Sequence, residues 1–163
     1  MNERMVMVAM QPRERLREAL CERTCDLVRY LDDIESAELK SREITPQGLV
    51  RCVHFWRARV NVPAVLAPHF DTPLLEWTGR TEWRASDYES RWVVEPRVMK
   101  DSALCEGIMR LAPAMGGKGT RIDLDLAIAD VEGPAGFRVI ARSILSTHFR
   151  KLVSAATRLI EEA

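Results

Sequence analysis

The sequence has little that would mark a secreted or membrane-spanning protein. Its 163 residues include only four cysteines, Cys21, Cys25, Cys52 and Cys105, which are too few and too scattered for a disulfide framework. No uncharged stretch approaches the roughly 20 residues that a membrane-spanning helix needs. The segment Met1–Met10 is too short in apolar residues for a signal peptide and lacks a small-residue cleavage site. These absences predict a cytoplasmic protein with reduced thiols.

The chain also lacks an excess of charge of either sign. Lys plus Arg and Asp plus Glu number 24 each, so no net field would attract nucleic acid or an anionic membrane. The apolar fraction of 47% and the charged fraction of 29% are ordinary for a globular protein. Composition therefore predicts one domain over residues 1–163, with a hydrophobic core and no nucleic-acid partner.

Two segments have the three–four spacing of an amphipathic helix. The first is Arg13–Leu31, where Leu16, Leu20 and Leu27 recur among charged residues. The second begins at Phe137 and carries an apolar stripe through Ile160, which predicts a helix about 36 Å long. Such helices need an apolar surface to pack against.

Alternating apolar and polar residues predict a sheet between these helices. A short strand, Met5–Met10, comes first, and about six antiparallel strands follow. They are predicted at Ser36–Thr45, Leu49–Val62, Leu75–Arg84, Tyr88–Glu95, Ser102–Leu111 and Thr120–Val131. Proline-rich Pro63–Pro73 is predicted to be a crossing loop and a candidate lid. Outward arginines and glutamates, Glu76 among them, are expected to form ion pairs on a solvated face.

This order of elements predicts an α+β protein in which a curved antiparallel sheet wraps around the long final helix. Three local patterns carry a resemblance: Glu76-Trp77 with Glu82-Trp83, the strand Cys105–Leu111, and the strand start Gly119-Thr120-Arg121. With these patterns the chain resembles the START-like or SRPBCC superfamily, most closely a bacterial branch of it. The superfamily has the helix-grip fold and includes polyketide cyclases, birch-pollen-type allergens and lipid-transfer domains.

The resemblance implies a cavity between sheet and helix that holds a hydrophobic molecule of lipid, polyketide or isoprenoid type. The inward strand parity and the helix stripe then supply the candidate ligand-binding residues. These are His54, Trp56, Trp83, Tyr88, Trp92, Cys105, Met109, Ile144, His148 and Leu152. The leading hypothesis is a protein that binds, carries or sequesters such a ligand without catalysis.

A polyketide cyclase- or aromatase-like enzyme, or a related lyase, is the first alternative. His54, Tyr88 and His148 are its candidate proton-transfer groups, since imidazole titrates near neutral pH. Both histidines could equally be core residues with structural hydrogen bonds. No spacing in the sequence singles out a catalytic set.

No cofactor or metal is predicted. Cys21 and Cys25 lie four residues apart on one helix face but have no nearby partners to complete a metal site. Cys52 and His54 share a strand face, where an imidazole could activate a thiol. A third hypothesis is a protein-interaction module that uses the exposed sheet face or the apolar segment Val62–Phe70, with a homodimer as one form of it.

Overall fold

The computed structural model describes residues 2–59, 76–84, 86–97, 104–129 and 137–163, and the side chains of 137–144 and 146 lie outside that description. The strands are β1 (Asn2–Ala9), β2 (Ile34–Ile44), β3 (Leu49–Ala58), β4 (Glu76–Arg84), β5 (Glu89–Pro96), β6 (Cys105–Ala114) and β7 (Gly119–Ile128). The α-helices are α1 (Arg13–Glu22) and α2 (Phe137–Glu161). Short 3-10 helices span Thr24–Tyr30 and Met115–Gly117.

The seven strands form one antiparallel sheet in the order β1-β7-β6-β5-β4-β3-β2. The 25-residue helix α2 packs against α1, the 3-10 helix Thr24–Tyr30 and β1. Because β3, β6 and β7 bury alternate residues, the sheet has one apolar face for the helices to cover. This arrangement confirms the predicted α+β fold with a curved sheet around a long C-terminal helix.

The core lies between the sheet and α2. On β7 the inward residues Ile122, Leu124 and Leu126 are at most 2% exposed, as the alternation predicts. From α2, Phe149 and Leu152 are equally buried. No helix among the described residues is both long and apolar enough to cross a membrane.

The first predicted helix, Arg13–Leu31, is wrong in its second half. Helix α1 ends at Glu22, and Arg23 leaves the helical region with φ −120° and ψ 27°. The Thr24 hydroxyl donates a hydrogen bond to the Leu20 carbonyl, and the chain continues as a 3-10 helix. A Thr side chain that bonds the preceding turn competes with a regular helix, and three–four apolar spacing does not register that competition.

Several strand bounds also differ from the prediction. β1 begins three residues earlier than Met5, because Asn2 already pairs with Ala127 of β7. β3 ends at Ala58, and the predicted continuation to Val62 leaves the described residues after Arg59. β6 continues past Leu111 to Ala114 and includes Pro113. The predicted lid Pro63–Pro73 and the predicted docking segment Val62–Phe70 lie outside the described residues.

Edge strand β2 is irregular, which explains its weak alternation in the sequence. Its pairing with β3 shifts register between Leu39 and Ser41, where one extra residue is accommodated. Leu39 is therefore opposite His54, and Arg42 is opposite Cys52. Residues directly opposite in an antiparallel pair share a face, so the irregularity brings Arg42 to the same face as Cys52.

Glu76 corrects the expectation that outward charges on the sheet are solvated. Its side chain is only 1% exposed, although it lies on the outward parity of β4. It accepts hydrogen bonds from Arg97 and from Arg57, its neighbour across β3 and β4 at 2.8 Å. The Arg97 and Arg57 hydrogen bonds hold the pKa of Glu76 below its usual value.

Glu76→Gln should therefore lower the free energy of unfolding by about 1.5–3 kcal/mol, because it weakens charge-assisted hydrogen bonds to a buried acceptor. Urea unfolding at pH 7 measures the change. The control is Glu82→Gln on the same strand, whose pair with Arg51 at 2.7 Å is exposed and should be worth at most about 1 kcal/mol. Folding lowers the pKa of Glu76, so its charge stabilises the folded state only while the carboxylate is ionised. The extra loss of stability in Glu76→Gln relative to Glu82→Gln should therefore diminish as pH falls below about 4. Equal losses from both variants at pH 7 would contradict the prediction.

Candidate functional site

Two tryptophans stack on the inner face of the sheet. Trp56 of β3 and Trp77 of β4 are directly opposite in the strand register. Their ring centroids are 6.0 Å apart and their planes differ by 3°. Cross-strand aromatic pairs of this kind stabilise a sheet and offer a flat apolar surface.

His148 of α2 packs edge-on against the Trp56–Trp77 pair. Its ring lies 5.4 Å from Trp56 and 5.5 Å from Trp77, at 89° to both. Phe149 follows it in the helix and contacts Trp92 of β5 at 5.5 Å, also edge-on. The rings of His54, Trp56, Trp77, Trp83, Trp92, His148 and Phe149 form one connected set, which we call the aromatic cluster.

The cluster borders a cavity of about 10 Å³. Six of the seven rings line it, together with residues of β4, β5 and the 3-10 helix: Thr24, His54, Trp56, Trp77, Gly79, Thr81, Trp92, Val93, Val94, His148 and Phe149. This volume holds about one water molecule. The described part of the space between sheet and helix is thus closely packed.

His148 is the unusual polar group of the cluster. It is 4% exposed, and its Nδ1 has no hydrogen-bond partner among the described residues. Burial lowers the pKa of its imidazole to about 4; the nearby charge of Asp33 opposes this with a smaller effect, and that of Lys151 adds to it. The ring is therefore neutral at pH 7, and each neutral imidazole has one N–H donor and one bare nitrogen acceptor.

His54 is the second buried histidine of the cluster. It is 4% exposed, and burial lowers its pKa below the ordinary value. Its ring centroid lies 6.3 Å from that of Trp56. Both histidines of the cluster are thus uncharged at neutral pH, and the cluster carries no formal charge.

The two remaining tryptophans differ in their hydrogen bonds. The Trp92 Nε1–H donates to the Ser90 hydroxyl at 2.6 Å, which fixes the orientation of the indole. Trp83 is fully buried and its Nε1 has no partner among the described residues. Trp92 also lies opposite Gly107 of β6, where a Cβ would lie only 2.6 Å from Leu126 Cδ2, so Leu126 fills the space that a side chain would take.

The site residues predicted from the sequence fall into three groups by location: at the cavity, in the surrounding core, and outside the described residues. His54, Trp56, Trp92 and His148 meet at the cavity. Trp83, Cys105, Met109 and Leu152 are at most 1% exposed and belong to the surrounding core. The side chain of Ile144 lies outside the described residues.

Tyr88 is not part of the cavity wall. It precedes β5 with φ of 51°, is half-buried, and has the Arg13 guanidinium 4.1 Å above its ring. The alternation that predicted an inward Tyr88 assumed that the strand begins there, but β5 begins at Glu89. With its left-handed backbone, Tyr88 lies outside the strand and packs against the core away from the cavity.

Sequence reasoning missed Trp77, Thr24, Thr81 and Phe149 as lining residues. Trp77 and Thr81 share the inward parity of Trp83, so the alternation held a signal for both. Phe149 lies on the predicted helix stripe, next to His148. No pattern in the sequence indicated that Thr24 lines the cavity, because its position depends on the end of helix α1 at Glu22.

The cysteines are all free, and only Cys25 is exposed. Burial raises the pKa of the Cys21 and Cys105 thiols to about 12 and also raises that of Cys25 and Cys52. These thiols are protonated at neutral pH, which disfavours the nucleophilic pairing of Cys52 with His54. Within the described part of the chain, no three His, Cys, Asp or Glu residues are grouped so as to hold a metal ion.

No protein-family model matches the sequence, and no curated protein is significantly similar to it. Solved structures are similar. A protein from Thermus thermophilus aligns with a TM-score of 0.63 and 19% identity, over 97% of this chain and 95% of that one. The Zhui aromatase/cyclase of a Streptomyces species aligns with a TM-score of 0.69 and 12% identity, over 99% and 93%. Ara h 8.0201 aligns with a TM-score of 0.59 and 11% identity, over 100% and 99%.

These likenesses extend over nearly the whole length of each chain. At 11–19% identity they concern the fold, which is the helix-grip fold. The cluster residues themselves must supply any argument about chemistry.

Proposed function

We propose that this protein binds a hydrophobic small molecule between the sheet and α2, at the aromatic cluster. The observation that carries the proposal is the neutral, buried imidazole of His148, whose Nδ1 has no partner within the described part of the chain and which borders a cavity walled by Trp56 and Trp77. Buried polar atoms nearly always find a partner, and one without a partner is available to a ligand. A ligand that donates or accepts one hydrogen bond would satisfy it.

The chemistry of the walls suggests the class of ligand. Stacked indoles favour a flat or ring-containing apolar body, and the cluster has no charge to pair with an ion. A lipid, polyketide or isoprenoid type of molecule with uncharged polar groups fits these walls. Aromatase/cyclases and an Ara h 8 protein share the fold, which is compatible with this class.

The proposal requires movement of the cluster. A cavity of about 10 Å³ cannot admit a molecule larger than water without displacing a ring. Since three tryptophans line the cavity, binding should change the tryptophan fluorescence of the protein.

The first test is native mass spectrometry of freshly purified protein, followed by organic extraction and identification of bound molecules. A discrete apolar adduct is the expected result. A tryptophan-fluorescence titration with a naphthol then gives the affinity. A bare chain mass together with no fluorescence response to any apolar probe would overturn the proposal.

His148→Gln and Trp77→Leu should each weaken binding of the naphthol about tenfold, because each removes one ring of the cluster that would contact the apolar body of the ligand. The matched control is Arg91→Gln on β5, an exposed position on the outward face, which should bind like the wild type. Near-UV circular dichroism checks that each variant keeps its packed core. Unchanged affinity in both cluster variants would exclude the cluster as the site.

A second candidate function is proton transfer in a cyclase-like reaction on a bound ligand. Neutral His148 favours it, because an uncharged imidazole nitrogen without a partner can accept a proton from substrate. His54 is the second proton-transfer candidate. Loss of turnover in His148→Gln with retained ligand binding would support catalysis, and equal turnover in wild type and variant would exclude His148 from it.

The cytoplasmic location and the homodimer remain predictions. The four free cysteines favour a reducing compartment. Light scattering coupled to size-exclusion chromatography measures the oligomeric state directly.

A further inference from the structure

A second pocket opens at the surface between α1 with the following 3-10 helix and strands β2 and β3. Its volume is about 180 Å³, and its walls are residues 21–26 on one side and Leu39, Arg42, Cys52 and His54 on the other. We call it the outer pocket. Cys25 and Leu39 at its rim are exposed, whereas Cys52 and His54 are 2% and 4% exposed. The outer pocket thus leads from the surface into the protein.

The outer pocket adjoins the cavity of the aromatic cluster. Thr24 and His54 line both spaces. The Thr24 side chain is held by its hydrogen bond to the Leu20 carbonyl at 2.8 Å, and Thr24 is 5% exposed. Two side chains therefore form the boundary between the outer pocket and the cluster, and they come from different elements, the 3-10 helix and β3.

The charged residues of the outer pocket are already paired with each other. Arg42 donates two hydrogen bonds to Glu22, at 3.0 and 3.1 Å. Arg23 donates to Asp26 at 2.9 Å. An ionic ligand group would have to break one of these pairs or remain without a counter-charge.

The inner wall of the outer pocket is uncharged. The thiols of Cys21 and Cys52 have raised pKa values because they are buried, and burial keeps His54 neutral. Thr24 and His54 nevertheless carry hydrogen-bonding atoms. An uncharged polar group can use those atoms, while a carboxylate there would lose its hydration without compensation.

We infer that the outer pocket is the mouth of the ligand site and holds an uncharged polar end of the ligand, such as a hydroxyl or carbonyl group. The aromatic cluster then takes the apolar body, and the ligand passes between Thr24 and His54. This inference rests on the proposed function and adds to it the route of entry and the charge state of the ligand.

The test uses the full chain and three probes with the same ring system: naphthalene, a naphthol and the corresponding naphthoate. Tryptophan fluorescence gives affinity at equilibrium and the association rate by stopped flow. The naphthol should bind at least about fivefold more tightly than either of the others, since one net hydrogen bond corresponds to roughly a two- to tenfold change in affinity.

Cys25 allows the outer pocket to be blocked. It is the exposed cysteine of the four and lines the rim, so N-ethylmaleimide should add once, at this residue. Mass spectrometry verifies the single addition. The blocked protein should lose the preference for the naphthol and bind it about tenfold more slowly. Cys25→Ala treated with the same reagent is the control and should behave like the untreated wild type.

The outcomes separate the inference from the proposed function. If blocked and unblocked proteins bind all three probes alike, the outer pocket is not the mouth and the inference is wrong, while the proposed function stands. Tighter binding of the naphthoate than of the naphthol would likewise overturn the inferred charge state. If the wild type binds no probe at all, the proposed function fails and the inference fails with it.

Discussion

Phe149→Ala should lower the free energy of unfolding by about 3–5 kcal/mol, as expected for truncation of a fully buried aromatic side chain. Phe149 is 1% exposed and contacts the rings of Trp92 and His148. Its removal leaves a cavity between α2 and the inner face of the sheet, and the surrounding rings can fill it only in part. Guanidinium or urea unfolding followed by circular dichroism measures the loss.

The matched control is Arg150→Ala, the next residue of the same helix. Arg150 is exposed, and truncation of such a side chain should change stability by no more than about 0.5 kcal/mol. The comparison removes general effects of substitution in α2. A loss below about 1 kcal/mol for Phe149→Ala would mean that Phe149 does not anchor the helix to the sheet.

Stability should also fall between pH 6.5 and pH 5, because His148 stays neutral in the folded protein. Its folded pKa is about 4, whereas an unfolded histidine has a pKa near 6.5. As pH falls below 6.5 the unfolded state binds a proton that the folded state does not, so unfolding becomes easier. Above pH 6.5 His148 is neutral in both states and the free energy of unfolding is unaffected by it. Between pH 6.5 and pH 4 protonation of His148 in the unfolded state progressively lowers the free energy of unfolding. The loss attributable to His148 between pH 6.5 and pH 5 is about 2 kcal/mol.

Urea unfolding of wild type and His148→Gln at several pH values measures this contribution as a difference in slope. His54 and His69 are common to both proteins, so their contributions cancel. Measurements above pH 5 avoid most of the carboxylate titration that affects Glu76 and Asp123. Arg150→Ala should retain the wild-type slope. Parallel profiles for wild type and His148→Gln would show that His148 titrates normally and is not the neutral group that the proposed site requires.

The pH profile and the ligand tests are connected. If a ligand donates a hydrogen bond to the imidazole nitrogen of His148, it binds the neutral form and disfavours the protonated one. The affinity of the protein for an uncharged ligand should therefore fall as pH falls toward 4, although that ligand itself does not titrate. Asp33 is the carboxylate that raises the pKa of His148, and it is already paired with Lys151 at 3.4 Å.

The sequence alone determined the fold and the inward faces. The apolar alternation that placed Trp56, Trp83 and Trp92 on the inner face depends on a period of two along each strand. The stripe of α2, with His148 on it, depends on the helical period in the same way. These are local patterns, and each residue's face follows from its near neighbours in the chain.

The arrangement of the site was decided by tertiary structure. Trp77 opposes Trp56 because of the register between β3 and β4, and His148 meets both because of how α2 docks on the sheet. Register and docking depend on residues far apart in sequence, and no local period specifies them. Tyr88 likewise packs against the core but is not among the residues that line the cavity, since β5 begins only at Glu89.

The outer pocket and the burial of Glu76 illustrate the same division. Alternation placed Glu76 on the outward face, but only the packing of Arg57 and Arg97 covers it. The irregular register of β2 and the break after α1 bring Arg42, Thr24 and His54 around one pocket. The sequence by itself determined which residues face the core, because that is a property of each strand or helix. Which of them meet was decided by the tertiary structure, because contacts between elements depend on register, bulges and docking.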